Sequence, residues 1–158
     1  MASTFSSLKF ELIATGEQSG TWGTTTNNNL SVALTEAIAG SADVSFSSGT
    51  VTLTLTDTVA AQVARNLRLR LTGTSGGAQN LVVPTVEKAY LVKNECADAI
   101  TIKTASGTGI AVPAGKTMWV YNDATNVVDA ITHLTSLTLG TDLALTEGGT
   151  GASTALAA

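Results

Sequence analysis

Apolar residues at every second position constrain this chain more than any other feature of its sequence. Residues 51–56 read VTLTLT and residues 66–71 read NLRLRL. A two-residue period places alternate side chains on opposite faces of a β-strand, one towards a core and one towards solvent. Shorter apolar segments follow at a spacing of about ten residues. They are residues 81–83, 89–92, 100–103, 109–112, 117–121 and 126–131.

Turn-forming residues separate these segments. The intervening stretches are GTSGG (73–77), KNECAD (93–98), ASGTG (105–109), PAGK (113–116) and YNDATN (121–126). Clusters of glycine, asparagine, aspartate and proline favour tight turns. Evenly spaced strands joined by short turns are typical of antiparallel sandwiches and barrels. We therefore expect a mainly β protein, an antiparallel β-sandwich or small barrel, with its β-domain over residues 41–133.

The sequence predicts one short N-terminal helix, between an asparagine run at residues 27–29 and Gly40. Asparagine side chains accept hydrogen bonds from the free amide groups at a helix start. Leu30, Leu34 and Ile38 then recur every four residues, which places them on one helical face. Gly40 is a typical helix terminator.

Charge and composition argue against nucleic acid as a partner. The chain has eight basic and twelve acidic residues and a net charge of −4, whereas binding to a phosphate backbone requires clustered basic side chains. The nearest approach to a cluster is Arg65, Arg68 and Arg70, which alternate with leucines as on a solvated strand face.

The N-terminus and the apolar segments predict a soluble protein made in a cytosol. The first 15 residues, MASTFSSLKFELIAT, have neither the basic start nor the continuous apolar core of a signal peptide. No apolar run approaches the ~18 residues of a membrane span, so we expect no membrane insertion. The single cysteine, Cys96, excludes an internal disulfide, and we expect a buried thiol there.

No set of residues in the sequence resembles a catalytic or cofactor site. A hydrolase needs a nucleophile, a base and an orienting group, and the only histidine, His133, stands alone in the sequence. The aspartates stand in turn-like contexts, where they serve local hydrogen bonding. We therefore expect no enzyme activity, no metal and no cofactor.

The sequence after about residue 134 loses the strand period and becomes rich in glycine and alanine. Its stretch EGGTG, with Gly148, Gly149 and Gly151, lacks the lysine and hydroxyl residue that complete a phosphate-binding loop. Residues 134–158 are therefore predicted to form an extended connector.

Two motifs carry a resemblance to a known family. GEQSGTWGTTTNNNL (residues 16–30) resembles the pattern GTWG, a short spacer and NxNL at the N-termini of tail-fibre and related tail proteins of tailed bacteriophages. LTEGGTGASTALAA (residues 145–158) resembles the GGTGAxTA connector between the attachment domain and the shaft of such fibres. In the order and spacing of these motifs, the chain is similar to the N-terminal region of tail-fibre proteins from phages of marine bacteria.

The resemblance implies a virion structural protein of the phage tail, synthesised in the cytoplasm of the host bacterium. It implies a homotrimer that anchors a receptor-binding fibre to nozzle, adaptor or tail-tip proteins. Residues 1–40 would be the docking segment and residues 134–158 would lead to a shaft. The residues expected to dock are Trp22, Gly23, Asn27, Asn29 and Leu30.

Two other functions remain open at this point. The first is a trimeric protein that decorates the capsid, which would need no glycine-rich connector. The second is a module of a polysaccharide depolymerase, although such fibres use far longer β-helical regions and the sequence shows no such repeat.

Two tryptophans each allow two interpretations. Trp22 lies between glycines, where it is either an anchor buried in a partner's groove or a lid that packs on Leu30, Leu34 and Ile38 of its own chain. Trp119 and Tyr121 lie on one face of their predicted strand, opposite Met118 and Val120. One face belongs to the core and the other to an edge or contact surface.

Overall fold

The computed structural model describes residues 2–138 of the 158-residue chain, and they are mainly β. A short helical region follows an N-terminal hairpin, and two larger sheets make up the remainder. The elements are β1 (Thr4–Phe5), β2 (Glu11–Leu12), α1 (Trp22–Asn28), a π-helical segment (Asn29–Leu34), α2 (Thr35–Ala39), β3 (Ser41–Ser47), β4 (Val51–Thr52), a 3₁₀ turn (Val63–Arg65), β5 (Arg68–Thr74), β6 (Gln79–Val82), β7 (Lys88–Asn94), β8 (Ile100–Lys103), β9 (Gly109–Val112), β10 (Thr117–Asn122) and β11 (Val127–Asp129).

The mainly β class with one short N-terminal helical region is confirmed, and the described strands form no closed barrel. One sheet has the strand order β11-β10-β7-β5-β3 and the other β4-β6-β8-β9. The expected antiparallel pairing holds for only some of the strands, because β3, β5 and β7 are parallel to one another, as are β4, β6 and β8. The antiparallel pairs are β1 with β2, β8 with β9, β7 with β10, and β10 with β11.

The parallel strands arise because the chain visits the two sheets alternately. The pairs β3–β4, β5–β6 and β7–β8 each supply one strand to each sheet, so the chain makes three stacked turns. Parallel neighbours need a crossover of a dozen or more residues, and a strand in the opposite sheet lies within each crossover. Ser41 pairs with Arg68 and Arg68 with Leu91, which are separations of 27 and 23 residues. In the other sheet the separations are 30 and 21 residues, and such unequal turns leave no regular repeat in the sequence.

The core lies between the two sheets, and its side chains come from alternate strand positions. Val44 pairs with Leu71 and Leu69 pairs with Val92 in one sheet, while Leu81 pairs with Ile102 in the other. The buried apolar residues of this core are Val44, Phe46, Leu69, Leu71, Leu81, Val83, Tyr90, Val92, Cys96, Ile100, Ile102, Val112, Val120 and Val127. The strand predicted over residues 51–56 is shorter than expected, since only Val51 and Thr52 pair as β4, although Leu53 still packs against the core.

Asn94, at the end of β7, is a buried polar residue that joins both sheets. Its Nδ2 donates to the carbonyl oxygens of Asp98 and Val112, each at 2.9 Å, and its Oδ1 accepts from the amide of Cys96 at 2.9 Å. The side chain is fully buried. It therefore hydrogen-bonds buried backbone groups of the turn after β7 and of β9, as buried polar side chains normally do.

We expect Asn94→Ala to lower the free energy of unfolding by about 3 kcal/mol, because buried groups left without a partner cost roughly 1–3 kcal/mol each. Urea denaturation of the full chain would measure the change. The matched control is Asn80→Ala, at an exposed asparagine of β6, where we expect a change within about 0.5 kcal/mol. Equal effects of the two substitutions would contradict the role given to Asn94.

Lys88, at the start of β7, is a buried cation. It is 8 % exposed, and its Nζ lies 4.9 Å from the centre of the Tyr90 ring. Burial disfavours the charged form and lowers the pKa of Lys88 to about 8, from 10.5 in an open chain. The unfolded chain therefore binds more protons than the folded chain between about pH 8 and 10.5, and this group makes the fold more stable as pH rises through that window.

We expect Lys88→Met to increase stability most below pH 8 and progressively less towards pH 10.5. The gain at pH 7 should be on the order of 1–3 kcal/mol, because each pKa unit corresponds to about 1.4 kcal/mol. Urea denaturation of both proteins from pH 7 to 10.5 would measure it. Lys116→Met, at an exposed lysine, is the control for loss of a surface lysine, and we expect it to change stability at pH 7 by less than about 0.5 kcal/mol. A pH-independent difference for Lys88→Met would contradict the assignment.

Candidate docking surface

The helical region begins earlier than the sequence predicts. It starts at Trp22 instead of after the asparagine run, and it continues through the π-helical segment to Ala39. The carbonyl oxygen of Gln18 accepts hydrogen bonds from the amides of Thr21 and Trp22, each at 2.9 Å, and this turn sets the helix start. Trp22 is therefore held on a helix and does not lie in a flexible segment.

Contacts with the N-terminal hairpin explain why this threonine- and asparagine-rich stretch is helical. Its residues have low intrinsic helix propensity. The Oδ1 of Asn29 accepts from the amide of Glu11 at 2.9 Å, and its Nδ2 donates to the carbonyl oxygen of Glu11 at 2.8 Å. Thr25 donates to the side chain of Gln18 at 2.5 Å. These bonds fix the first half of the helical region to β2 and to the turn that precedes it.

A buried ion pair fixes the second half. The Glu36 carboxylate lies 3.3 Å from Nη1 of Arg65, which is fully buried, and it accepts a hydrogen bond from the amide of Gln62. Burial lowers the pKa of Arg65, and the negative charge of Glu36 opposes that shift. The backbone oxygen of Glu36 also accepts from the amide of Leu67 at 3.0 Å, so the helix is joined directly to the chain that enters β5.

Gly40 ends the helix as predicted, for a steric reason. Its φ of −67° and ψ of 148° are extended, so no left-handed conformation is involved. A Cβ at this position would lie 2.3 Å from Oδ1 of Asn66 and 2.7 Å from the carbonyl oxygen of Glu36. Only glycine fits where the helix end packs on residue 66.

The apolar face of the helical region points to solvent. Trp22, Leu30, Leu34 and Ile38 are 62 %, 55 %, 37 % and 63 % exposed, and we call these four residues the helix stripe. The face towards the rest of the chain instead carries Asn29, Ala33 and Glu36. A surface helix normally buries its apolar side and exposes its polar side. This helix is inverted, and the helix stripe is the candidate docking surface.

The lid interpretation of Trp22 does not fit this geometry. Sixteen residues separate Trp22 from Ile38, which corresponds to about 24 Å along a helix, a length that one indole ring cannot cover. Trp22, Leu30 and Ile38 are all more than half exposed. The tryptophan therefore does not cover Leu30 or Ile38, and most of its own side chain is open to solvent.

The residues predicted to dock fall into different environments. Trp22, Asn27 and Leu30 are exposed. Gly23 is half-buried, and no heavy atom lies within 4 Å of where its Cβ would be. Both ends of the Asn29 amide are already hydrogen-bonded to Glu11, so this residue orients the helix. The connector residues Gly148, Gly149 and Gly151 lie outside the described part of the chain.

Leu34 and Ile38 belong to the helix stripe but not to the predicted docking residues. Their four-residue spacing with Leu30 predicts that they share its helical face. The sequence does not indicate that this face points outward, because polar residues such as Asn29 and Glu36 on the other side are also usual for a helix whose apolar side is buried.

A second exposed apolar area lies on the outer face of the five-stranded sheet. Trp119 and Tyr121 of β10 are 39 % and 37 % exposed, while Val120 between them is fully buried. Val128 of β11 stands opposite Tyr121 in register and is 41 % exposed. The aromatic face of this strand is thus the exposed face, and we call Trp119, Tyr121 and Val128 the sheet patch.

The side chains of Asp98 and Cys96 are engaged in hydrogen bonding and in the core, respectively. Asp98 accepts from Ser75 Oγ at 2.7 Å and from the Gly77 amide at 2.9 Å, and both bonds lower its pKa. Cys96 is buried, and burial raises the pKa of its thiol. Among residues 2–138, no group of three or more His, Cys, Asp or Glu side chains is placed to hold a metal ion. No helix formed by these residues has the length and apolar character needed to cross a membrane.

The chain was compared with protein-family models, with curated proteins and with solved structures, and none of these comparisons gives a match.

We expect Glu36→Gln to lower the free energy of unfolding by about 3–5 kcal/mol, because it leaves the Arg65 guanidinium charged and buried without its counterion. The double variant Glu36→Gln/Arg65→Met should recover much of that loss. Lys9→Gln is the control, since it breaks the exposed pair with Asp57 and should cost less than about 1 kcal/mol. Urea denaturation would compare the three, and a Glu36→Gln variant as stable as the Lys9 control would contradict the buried-pair assignment.

Proposed function

We propose that this chain is a structural protein of a bacteriophage virion, a tail-fibre module that anchors a receptor-binding fibre to the tail. The helix stripe is the observation that carries the proposal, because it presents an apolar docking face on a fixed support. The resemblance of residues 16–30 and 145–158 to tail-fibre motifs supplies the class of protein. We propose the virion tail as its location and a homotrimer as its assembly.

Burial of the helix stripe in a partner would contribute substantially to binding. Full burial of one large apolar side chain contributes about 1.5–3 kcal/mol, and three of the four side chains are more than half exposed. An apolar helix face laid into a groove is a common mode of protein recognition. The partner proposed here is a nozzle, adaptor or tail-tip protein with such a groove.

The support of the helix reduces the cost of docking. Asn29 fixes its first half to β2, and the Glu36–Arg65 pair fixes its second half to the chain entering β5. Binding then orders few groups, and less of the interaction energy is lost to conformational entropy. In this proposal Trp22 and Leu30 contact the partner, Asn29 orients the helix, and Gly23 leaves space beside Trp22.

We expect Trp22→Ala and Leu30→Ala each to weaken association with purified tails. Truncation of a buried anchor residue costs about 2 kcal/mol, which corresponds to roughly a 30-fold increase in the dissociation constant. Because both side chains are exposed in the free protein, the melting temperature should hardly change. Thr24→Ala, at an exposed position of the same helix, is the matched control and should bind as the unchanged protein does.

Immunogold labelling of intact particles distinguishes a location on the tail from a location on the head. Label on the tail supports the proposal, whereas label on the capsid surface would overturn it in favour of a capsid-decorating protein. Unchanged tail binding by both variants would show that the helix stripe is not the docking face.

A further inference from the structure

The chain leaves β11 as a segment whose apolar residues recur at every third position. Residues 131–138, which we call the stem, form neither helix nor strand, and all eight are exposed. Ile131, Leu134 and Leu137 are 51 %, 59 % and 66 % exposed. Val128, three residues before Ile131, continues the same spacing back into the sheet patch.

The three-residue spacing of Ile131, Leu134 and Leu137 would not place all three side chains on the buried face of a β-strand. With a two-residue period, Leu134 would face away from Ile131 and Leu137. In an extended chain with three residues per turn, every third residue lies on the same side. A stem with that geometry would carry its three apolar side chains along one side, and each of them is more than half exposed among the described residues.

The stem is continuous with the sheet patch. The amide of Ala130 donates to the carbonyl oxygen of Trp119 at 3.2 Å, so the chain is still attached to β10 immediately before the stem. Val128 stands beside Tyr121 in register. The exposed apolar residues of the sheet patch thus continue along the chain into those of the stem, and we call the two sets together the stem surface.

Charge favours a second copy of this chain as the partner. Identical copies bring identical charges together, and each chain carries a net charge of −4. Residues 130–138, AITHLTSLT, contain no Lys, Arg, Asp or Glu. Copies that meet along the stem therefore bring no fixed charges of these residues close to one another.

We propose that copies of this chain meet along the stem surface. Three stems run parallel about a common axis with Ile131, Leu134 and Leu137 turned towards it, and the sheet patch of each copy packs on its neighbour. Parallel chains related by a rotation axis bring the same residue of every copy to one level. Each apolar residue of the stem therefore contacts the same residue of the other copies. The number three rests on the trimeric fibre of the proposed function, whereas the surface rests on the observations above.

The mass of the full chain in solution tests the inference. Sedimentation equilibrium of the unchanged protein at micromolar concentration should give three times the chain mass of 16.0 kDa. The triple variant Ile131→Ser/Leu134→Ser/Leu137→Ser should raise the dissociation constant by about 100-fold or more and give monomers. Because these side chains are exposed within one chain, its circular dichroism spectrum should still show a folded protein.

The stem itself supplies a matched control. Thr132, Thr135 and Thr138 repeat with the same three-residue spacing, and the variant Thr132→Ser/Thr135→Ser/Thr138→Ser should remain trimeric. A monomeric unchanged chain, or an unchanged mass for the Ile/Leu variant, would overturn the inference. A dimer that the Ile/Leu variant dissociates would overturn the threefold arrangement.

The test is separable from that of the proposed function. If the chain is a trimer that requires Ile131, Leu134 and Leu137 but immunogold finds it on capsids, the tail assignment is overturned and the stem surface is supported. If the chain is a monomer that immunogold finds on tails and that needs Trp22 to bind them, the stem surface is overturned and the tail assignment is supported.

Discussion

The parallel pairing of β3, β5 and β7 is the constraint on which the rest of the structure depends. In a strand, a shift of one residue turns every inward side chain outward, so the pairing of Val44 with Leu71 and of Leu69 with Val92 decides which residues are buried. The same registers place Asp43 beside Arg70 and Arg70 beside Lys93 on the outer face. One set of pairings thus produces both the apolar core and a charged part of the surface.

This pairing also determines what lies beneath the helical region. A parallel neighbour can be reached only by a crossover, and the crossover from β3 to β5 contains the 3₁₀ turn with Arg65. The buried guanidinium then meets Glu36, and the chain entering β5 donates the Leu67 amide to the same residue. The inward face of the helix is polar because it packs on a charged group and on backbone donors. Its apolar residues are left on the outside for the same reason.

The sequence predicted local features of this fold and missed those set by residues far apart in the chain. Alternating side chains identified the strands over residues 66–71 and 117–121, because burial on one face acts within each strand. The same alternation cannot distinguish parallel from antiparallel neighbours, and turns of unequal length removed the repeat that would have indicated stacking. The helix start was misplaced because the bonds between Asn29 and Glu11, 18 residues apart, override weak local propensity. Trp22 and Leu30 of the candidate surface were identified, whereas its outward orientation depends on the buried Arg65, whose alternation with leucines suggested a solvated position.

The strand order separates the two exposed apolar surfaces. The helix is hydrogen-bonded to the chain entering β5 and runs directly into β3, at one edge of the five-stranded sheet, while the sheet patch lies on β10 and β11 at the other edge. Neighbouring strands lie about 4.8 Å apart, so β3 and β11 are on the order of 19 Å apart. Under the two proposals made above, a tail protein in contact with Trp22 would therefore not displace a second copy in contact with Trp119. The proposed anchoring role requires this separation, because one chain would then bind a tail protein and its own copies at the same time.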